Sequence, residues 1–176
     1  MTPEEFTQDQ IRYGLTFIKG DTFLDIGCGD GRIRPYIPEG IHYSGLDYHL
    51  GELERAIRKS PEDSWYMGDV NRLQFEDDSF DTVYQRHVLM HTEYYEQPLR
   101  EMVRVAKHRV ILMMGSPFAS NGENINRSMH LGKFYWGNVY EKEKFVKFLE
   151  TLPVKITHFE EEYTKNHEVL IVLDKK

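Results

Sequence analysis

The sequence contains little cysteine, no long apolar run and no excess of positive charge. Cys28 is the single cysteine among 176 residues, so no disulfide can form within the chain and a reducing compartment is expected. No apolar stretch approaches the roughly 18 residues that a membrane-spanning helix needs. The first residues lack the basic segment of a signal peptide. These absences predict a cytoplasmic protein that does not enter a membrane.

The charge balance argues against nucleic acid as the partner. Aspartate and glutamate total 29 against 22 lysines and arginines, which gives a net charge of −7. A protein that binds phosphates normally presents a basic surface, although a local basic patch would be compatible with this total. Hydrophobic residues make up 40% of the chain and aromatic residues 13%, enough for a packed core. With this length, they predict a single domain over residues 1–176.

The most informative segment is a strand-like run that stops at three glycines. Residues 22–26 are mainly apolar, and Gly27, Gly29 and Gly31 follow directly. Glycine permits positive φ and lacks the Cβ that would block a ligand, so the pattern predicts a tight turn that a ligand approaches closely. A helix start beyond such a turn offers unpaired N–H groups and a positive dipole end. The segment therefore predicts a site for a nucleotide-like ligand with an anionic or polyhydroxyl part.

Two ligand classes use this kind of turn. The dinucleotide fingerprint G-x-G-x-x-G requires a third glycine where Arg32 stands, which argues against a nicotinamide-dependent oxidoreductase. The observed spacing is G-x-G-x-G, preceded by the strand acid Asp25. This run, with its lead-in from Lys19, resembles the first motif of the class I S-adenosylmethionine-dependent methyltransferases. The resemblance implies S-adenosyl-L-methionine as the cofactor.

Strand-like and helix-like segments alternate along the chain, which predicts a doubly wound α/β sheet. The predicted strands are 22–27, 41–47, 64–67, 80–85, 109–114, 154–163 and 167–173, and the predicted helices are 51–59, 98–107 and 141–150, after an N-terminal helix within 1–20. The resemblance covers residues 15–173, with specific motifs in the first half only. It implies a Rossmann-like, mostly parallel seven-stranded sheet with an antiparallel last strand.

Acidic residues follow the second and third predicted strands. Asp47 stands 20 residues after Gly27, where a carboxylate can accept both hydroxyls of a ribose; the alternative is a cap on the next helix. The resemblance assigns the ribose to Asp47 and the adenine to Asp69 and the N–H of Val70, although Asp69 could be a simple turn residue. The residues implied for the cofactor are Asp25, Gly27, Cys28, Gly29, Gly31, Asp47, Tyr48, Asp69, Val70 and Gln85.

Polar residues after the fourth predicted strand are candidates for the reacting end of the site. Strand carboxyl ends face the ligand crevice in open α/β sheets, which predicts that Gln85, Arg86 and His87 lie near the methionine part of the cofactor or its methyl group. His91, His87, His130 and a tyrosine such as Tyr94 are the candidate catalytic bases, and the sequence does not choose among them. His87 and His91 are four residues apart, but no Glu or Cys cluster supports a metal, so none is predicted. The family's DNA-amine-methylating members carry Asn or Asp followed by Pro-Pro and an aromatic residue here; this chain does not.

The segment 115–140 is too long for an ordinary connection. Loops of more than roughly 12–15 residues are usually functional or disordered, and its many aromatic residues argue against disorder. We interpret it as the substrate-side insert; the alternative is a flap that covers core. With Arg86 from the fourth strand, the candidate substrate residues are His130, Tyr135 and Trp136.

The leading hypothesis is methyl transfer from S-adenosylmethionine to a small-molecule acceptor. The run Leu73-x-Phe75-x-Asp77-x-Ser79-Phe80-Asp81 supports it, since this pattern is typical of the family's small-molecule branch. Methylation of RNA or protein, or a non-catalytic S-adenosylmethionine-binding subunit of a complex, remain as alternatives. Little chain lies outside the predicted core, so a partner subunit or a homo-oligomer is considered as a way to complete the acceptor pocket.

Overall fold

Helices and strands alternate through the computed structural model of the chain. It describes residues 3–115, 117–119, 124–125, 127–130, 133–161 and 168–176, with the backbone alone at 3–7, 127–130 and 133–135. The elements are α1 (Pro3–Leu15), β1 (Thr22–Ile26), β2 (His42–Asp47), α2 (Leu50–Lys59), β3 (Ser64–Met67), β4 (Phe80–Arg86), α3 (Glu96–Val105), β5 (Ala106–Gly115), β6 (Arg127–His130), β7 (Lys133–Trp136), α4 (Lys142–Thr151), β8 (Val154–Glu160) and β9 (Glu168–Lys175). None of the helices in these residues is long and apolar enough to cross a membrane.

Seven of the strands form one sheet in the order β3-β2-β1-β4-β5-β9-β8. The pairs from β3 to β5 are parallel, and β9 runs antiparallel to both of its neighbours. This confirms the predicted doubly wound sheet with an antiparallel last strand. The order reverses between β1 and β4, and ligands of open α/β sheets bind at such a reversal, outside the carboxyl ends of the strands.

The side chains of β1 divide the core into two faces because neighbouring residues of a strand point to opposite sides. Leu24 and Ile26 pack in one apolar cluster, which contains buried residues of α3 and α4. Phe23 packs on the other side, where Ile11 and Leu15 of α1 lie. α1 ends at Leu15, earlier than predicted, and a turn leads from it into β1.

The connection from α3 to β5 has no intervening turn. α3 ends at Val105 and β5 begins at Ala106, three residues before the predicted start. The ammonium of Lys175 donates to the carbonyls of Arg104 (3.4 Å) and Ala106 (2.9 Å), which satisfies acceptors that a helix end leaves open. The charged residues that open β5 resemble a turn in sequence, but β5 pairs with β4 from Ala106 onward.

A second, two-stranded sheet lies in the predicted insert. β6 and β7 pair antiparallel from Arg127–Trp136 to His130–Lys133, a hairpin that sequence periodicity did not indicate. On either side of this hairpin the two arms of the insert also pair: Asn124 and Val139 exchange both backbone hydrogen bonds (3.0 and 3.1 Å).

Candidate functional site

Backbone hydrogen bonds fix the glycine turn after β1 on one side, and its other side is open at Gly29. The N–H groups of Gly27 and Cys28 both donate to the carbonyl of Leu46, at 2.7 and 3.1 Å. Gly27 has φ +70°, and a Cβ there would collide with Cγ2 of Val88. Gly29 has φ +54°, and a Cβ there would meet nothing within 4 Å. The turn thus requires glycine for its backbone and leaves one side on which a ligand can lie.

Asp47, at the end of β2, joins this turn to the next helix. Its side chain is only 7% exposed; Oδ2 accepts the N–H of Gly29 (2.9 Å) and Oδ1 accepts that of His49 (2.8 Å). Because His49 directly precedes α2, the second of these bonds lies at the start of that helix, so Asp47 organises both the glycine turn and the helix start. A carboxylate has about four lone-pair sites, so capacity for two further hydrogen bonds, as a ribose diol needs, remains.

The loop after β3 brings the predicted adenine residues to the same edge. The N–H of Gly68 donates to the carbonyl of Asp47 (3.1 Å), which ties the ends of β2 and β3 together. Asp69 is exposed, and its Oδ1 accepts both the backbone N–H and the amide of Asn71 (2.8 Å each). Val70 packs against the core, whereas Tyr48 is 65% exposed beside His49, with ring centroids 4.0 Å apart.

We expect Asp47→Ala to weaken S-adenosylmethionine binding by roughly ten- to a hundredfold, since a hydrogen bond to a charged acceptor contributes about 1.5–3 kcal/mol. Calorimetric titration with S-adenosylmethionine and S-adenosylhomocysteine measures it. Glu54→Ala is the matched control, because Glu54 is an exposed carboxylate on the neighbouring α2. Equal affinities of the two variants would contradict the assignment of the ribose to Asp47.

Asp25 and Cys28 lie beneath the glycine turn and face the interior. The hydroxyl of Tyr43 donates to Oδ2 of Asp25 at 2.7 Å, and Asp25 is 3% exposed. Burial, with a smaller contribution from the charge of Asp47, raises the pKa of Asp25 to about 7, although the Tyr43 hydrogen bond opposes the shift. Burial also raises the pKa of the Cys28 thiol far above its usual range, which keeps the thiol protonated. Cys28 therefore acts as a small packing residue in this turn.

The raised pKa of Asp25 predicts a pH-dependent stability. Between pH 3.8 and about 7 the folded chain binds this proton more tightly than the unfolded chain does, so the contribution of Asp25 to the unfolding free energy falls as the pH rises through that window. We expect Asp25→Asn to be more stable than the parent by roughly 2–4 kcal/mol above pH 7, with no difference near pH 4. Urea unfolding across this range measures the gap, with Glu54→Gln as the control. A constant gap would contradict the prediction.

Gln85, at the end of β4, is wholly buried and shapes the turn that follows. Its amide nitrogen donates to the carbonyl of Met113 (3.3 Å), and its oxygen accepts the N–H of Val88 (2.9 Å). Both ends of the side chain are thus engaged inside the protein. A cofactor contact from Gln85, as predicted, would have to come from its backbone.

His87 and His91, both in the turn after β4, carry the ring proton on different nitrogens. His87 accepts the N–H of Gly115 at Nδ1 (2.9 Å), and its Nε2 lies 2.7 Å from Oε1 of Glu168, so both ring nitrogens are engaged. His91 is exposed, and its Nδ1 lies 2.7 Å from the carbonyl of Trp136. A carbonyl only accepts, so the His91 proton is on Nδ1 and Nε2 carries the lone pair. His91 therefore has the geometry of a base, and His87 does not.

The end of the insert is bonded to this same turn. Asn138, which is wholly buried, donates its N–H to the carbonyl of Met90 (2.9 Å) and its side-chain amide to that of Thr92 (2.5 Å). The hydroxyl of Tyr140 donates to the carbonyl of Leu89 (2.5 Å). Residues 136–140 and 86–92 thus form one connected wall at the carboxyl ends of β4 and β5, which we call the acceptor wall because the sequence predicts the substrate side there.

The aromatic residues at the two ends of the insert belong to the core. Phe118 and Tyr140 both pack on Phe145 of α4, with ring centroids 5.5 and 6.0 Å apart. For these residues the alternative of a flap that covers core is correct. Trp136 is partly buried, and Tyr94 is 56% exposed. The side chains of His130 and Tyr135 lie outside the described residues.

The sequence did not identify Glu101 and Arg104 as residues that position the site. Glu101 accepts the N–H of Leu73 (2.8 Å), and Arg104 donates to the carbonyls of Leu73 (3.0 Å) and Phe75 (2.8 Å). They hold the loop that carries Asp69 against α3. In the part of the chain that the structure describes, no group of three His, Cys, Asp or Glu side chains is placed to hold a metal.

A family model described as a methyltransferase domain matches residues 24–114, which run from within β1 to the penultimate residue of β5 and include the glycine turn. A demethylmenaquinone methyltransferase of Renibacterium salmoninarum is 34% identical over 91 residues, which are 51% of this chain and 38% of that protein. An uncharacterized methyltransferase of Schizosaccharomyces pombe is 32% identical over 120 residues, 60% of this chain and 42% of that protein. The chain thus spans about two fifths of the length of these curated relatives.

Solved structures share the fold along almost the whole chain. Magnesium protoporphyrin IX methyltransferase from Synechocystis, with bound S-adenosylmethionine, aligns with a TM-score of 0.71 and 19% identity over 98% of this chain and 80% of that one. A chain from the complex of a methyltransferase with the Haloferax volcanii Trm112 methyltransferase activator aligns with a TM-score of 0.76 and 16% identity over 98% of this chain and 91% of that one. At these identities the likeness establishes the fold.

Proposed function

Since the chain belongs to the methyltransferase domain family and is a class I S-adenosylmethionine-dependent methyltransferase, we propose that its acceptor is a small organic molecule. The observation that carries the proposal is the acceptor wall. It joins the turn after β4 to the insert and lies against the cofactor turn through Val88 and Gly27. A continuous wall beside the cofactor turn can hold a compact acceptor against the transferred methyl group.

Two other observations support a small acceptor. The net charge of −7 does not favour a polyanion such as RNA. The Renibacterium relative has a small-molecule acceptor, demethylmenaquinone, in its name. Because the chain spans only part of that protein, the name supports the class of acceptor and not its identity.

S-adenosylmethionine supplies a methyl group that its sulfonium already activates, so the protein has mainly to align the partners. Positioning of this kind can contribute roughly 7–11 kcal/mol to lowering a barrier. Gly29, Asp47 and Asp69 would hold the cofactor at the ends of β1 to β3. Nε2 of His91 would take the proton that the acceptor loses, and the Nδ1–H donation to Trp136 would stabilise the charged ring.

A labelling screen tests this function. The purified protein is incubated with S-adenosylmethionine labelled in its methyl group and with separate small-molecule, RNA and protein fractions. We expect label in the small-molecule fraction alone, together with one-to-one binding of S-adenosylmethionine and no binding of NAD by calorimetry. Label confined to RNA or protein would overturn the small-acceptor proposal, and cofactor binding without any transfer would indicate a non-catalytic subunit.

A further inference from the structure

The acceptor wall is supported from behind by Glu168, the first residue of β9. Because β9 runs antiparallel to β5, its first residue, and not its last, lies at the carboxyl ends of β4 and β5, where Glu168 pairs with Gly115. Glu168 is 2% exposed, and its Oε1 accepts Nη2–H of Arg86 (2.9 Å) and lies 2.7 Å from Nε2 of His87. One buried carboxylate thus contacts two consecutive residues of the turn after β4.

The residue that Glu168 contacts most closely has a strained backbone. His87 has φ +61°, in the left-handed region, which costs a residue other than glycine of order 1–3 kcal/mol and persists only where its surroundings fix it. Three hydrogen bonds do so. The N–H of His87 donates to Met113 (2.8 Å), Nδ1 accepts from Gly115 (2.9 Å), and the proton that remains on Nε2 is donated to Glu168.

The charge of the cluster is balanced within it. Burial alone would raise the pKa of Glu168, but the His87 hydrogen bond and the charge of Arg86 outweigh it and lower that pKa below its ordinary value. Glu168 therefore stays ionised, neutralises Arg86 and keeps both partners in place. Glu168 therefore holds Arg86 and His87 in place and does not act as a base, because its carboxylate is buried inside the protein.

We propose that Glu168 is a positioning residue for methyl transfer, which acts through Arg86 and His87 to fix the turn that carries His91. The inference rests on the proposed function, in which this turn forms the acceptor wall. In this arrangement the two histidines of the turn carry their ring protons on different nitrogens. The proton of His87 is on Nε2, between Gly115 and Glu168, and that of His91 is on Nδ1, which faces the Trp136 carbonyl.

Nitrogen NMR of the imidazole rings tests this positioning role without any acceptor. In the parent protein we expect His87 to show a protonated Nε2 and His91 a protonated Nδ1, with His87→Asn and His91→Asn to assign the signals. Glu168→Gln keeps an acceptor oxygen and should preserve the His87 tautomer. Glu168→Ala should leave the tautomer as it is, because the Gly115 N–H still donates to Nδ1, but the Nε2–H signal of His87 should lose its hydrogen-bonded shift and exchange faster with water; the exposed control Glu150→Gln should change nothing.

Kinetics with the acceptor complete the test. We expect Glu168→Ala to lower kcat by about tenfold or more, equivalent to about 1.4 kcal/mol, with S-adenosylmethionine affinity within about threefold and with rescue by Glu168→Gln. Should Glu168→Ala fail to fold because it leaves the largely buried charge of Arg86 uncompensated, the double variant Arg86→Leu, Glu168→Leu removes both charges and takes its place in the NMR test.

Three results would overturn the inference: an unchanged Nε2–H signal of His87 in a folded variant that lacks Glu168, an unchanged kcat, or a loss of cofactor affinity as large as the loss of kcat. The last would mean that Glu168 merely maintains the fold. A macromolecular acceptor would overturn the proposed function and leave the NMR result untouched, so the two failures can be told apart.

Discussion

Replacing His91 by asparagine is expected to lower kcat/KM for the acceptor by about a hundredfold or more, the usual range for removal of a general base. Asparagine places an amide N–H close to the position of Nδ1, so the variant keeps a donor for the Trp136 carbonyl and loses only the basic Nε2. S-adenosylmethionine affinity should remain within about threefold, because His91 lies on the acceptor wall and not on the loops after β1 to β3.

The pH dependence of this variant gives a second readout. As the pH rises, an acceptor with an ionisable proton loses it to solvent, so the rate of His91→Asn should approach that of the parent. His108→Asn is the matched control, since His108 is a partly exposed histidine near the start of β5, at the opposite end of the sheet. A rate unchanged by His91→Asn at every pH would mean that the acceptor needs no base from the protein.

The sheet and the proximity of the glycine turn to Asp47 could be predicted because their signals are local. The glycine turn ends β1 and Asp47 ends β2. Only one crossover and one strand separate them in sequence, so the spacing between the two positions is short and can be recognised. The structure brings Gly29 and Asp47 together at 2.9 Å, as that spacing suggests. The hydrogen bonds of Asp47 also show that it organises the turn itself, which no motif indicates.

The acceptor side could not be predicted to the same depth because its partners are distant in sequence. His87 and His91 are the same residue type in one short turn, and the sequence treats them alike. Their proton positions are set by the Gly115 N–H and the Trp136 carbonyl, which only the folded chain brings near them. Glu168 lies beyond every motif, and its place follows from the antiparallel direction of β9.

The pair Glu101 and Arg104 shows the same limit on α3. Their three-residue spacing predicts a surface ion pair, normally worth about 0.2–0.5 kcal/mol. In the fold, Arg104 also bonds the carbonyls of Leu73 and Phe75, so it fixes the loop after β3. Spacing within a helix reports which residues are neighbours on its surface, but not which loop rests on them.

The insert is expected to govern acceptor use and to leave cofactor binding intact. Most of the predicted cofactor residues lie in the loops after β1 to β3, whereas the insert leaves β5 and returns to the turn after β4. Its two ends are held independently of its tip: Asn124 pairs with Val139, and Tyr140 donates its N–H to the carbonyl of Pro117 (2.6 Å). The tip can therefore be shortened without loosening these ends.

Replacing residues 126–135 by Gly-Gly-Ser-Gly should leave the S-adenosylmethionine affinity within about threefold and lower acceptor turnover by about a thousandfold, because a wall that aligns the acceptor contributes several kcal/mol. The replacement keeps Trp136, and so the carbonyl that orients His91. The double variant His130→Ala, Tyr135→Ala tests whether the two predicted side chains account for the loss, and thermal unfolding verifies that each variant is folded. If the shortened protein is folded but loses cofactor binding as severely as Asp47→Ala does, the insert is a cofactor lid, and the division of the site into a cofactor side and an acceptor side is wrong.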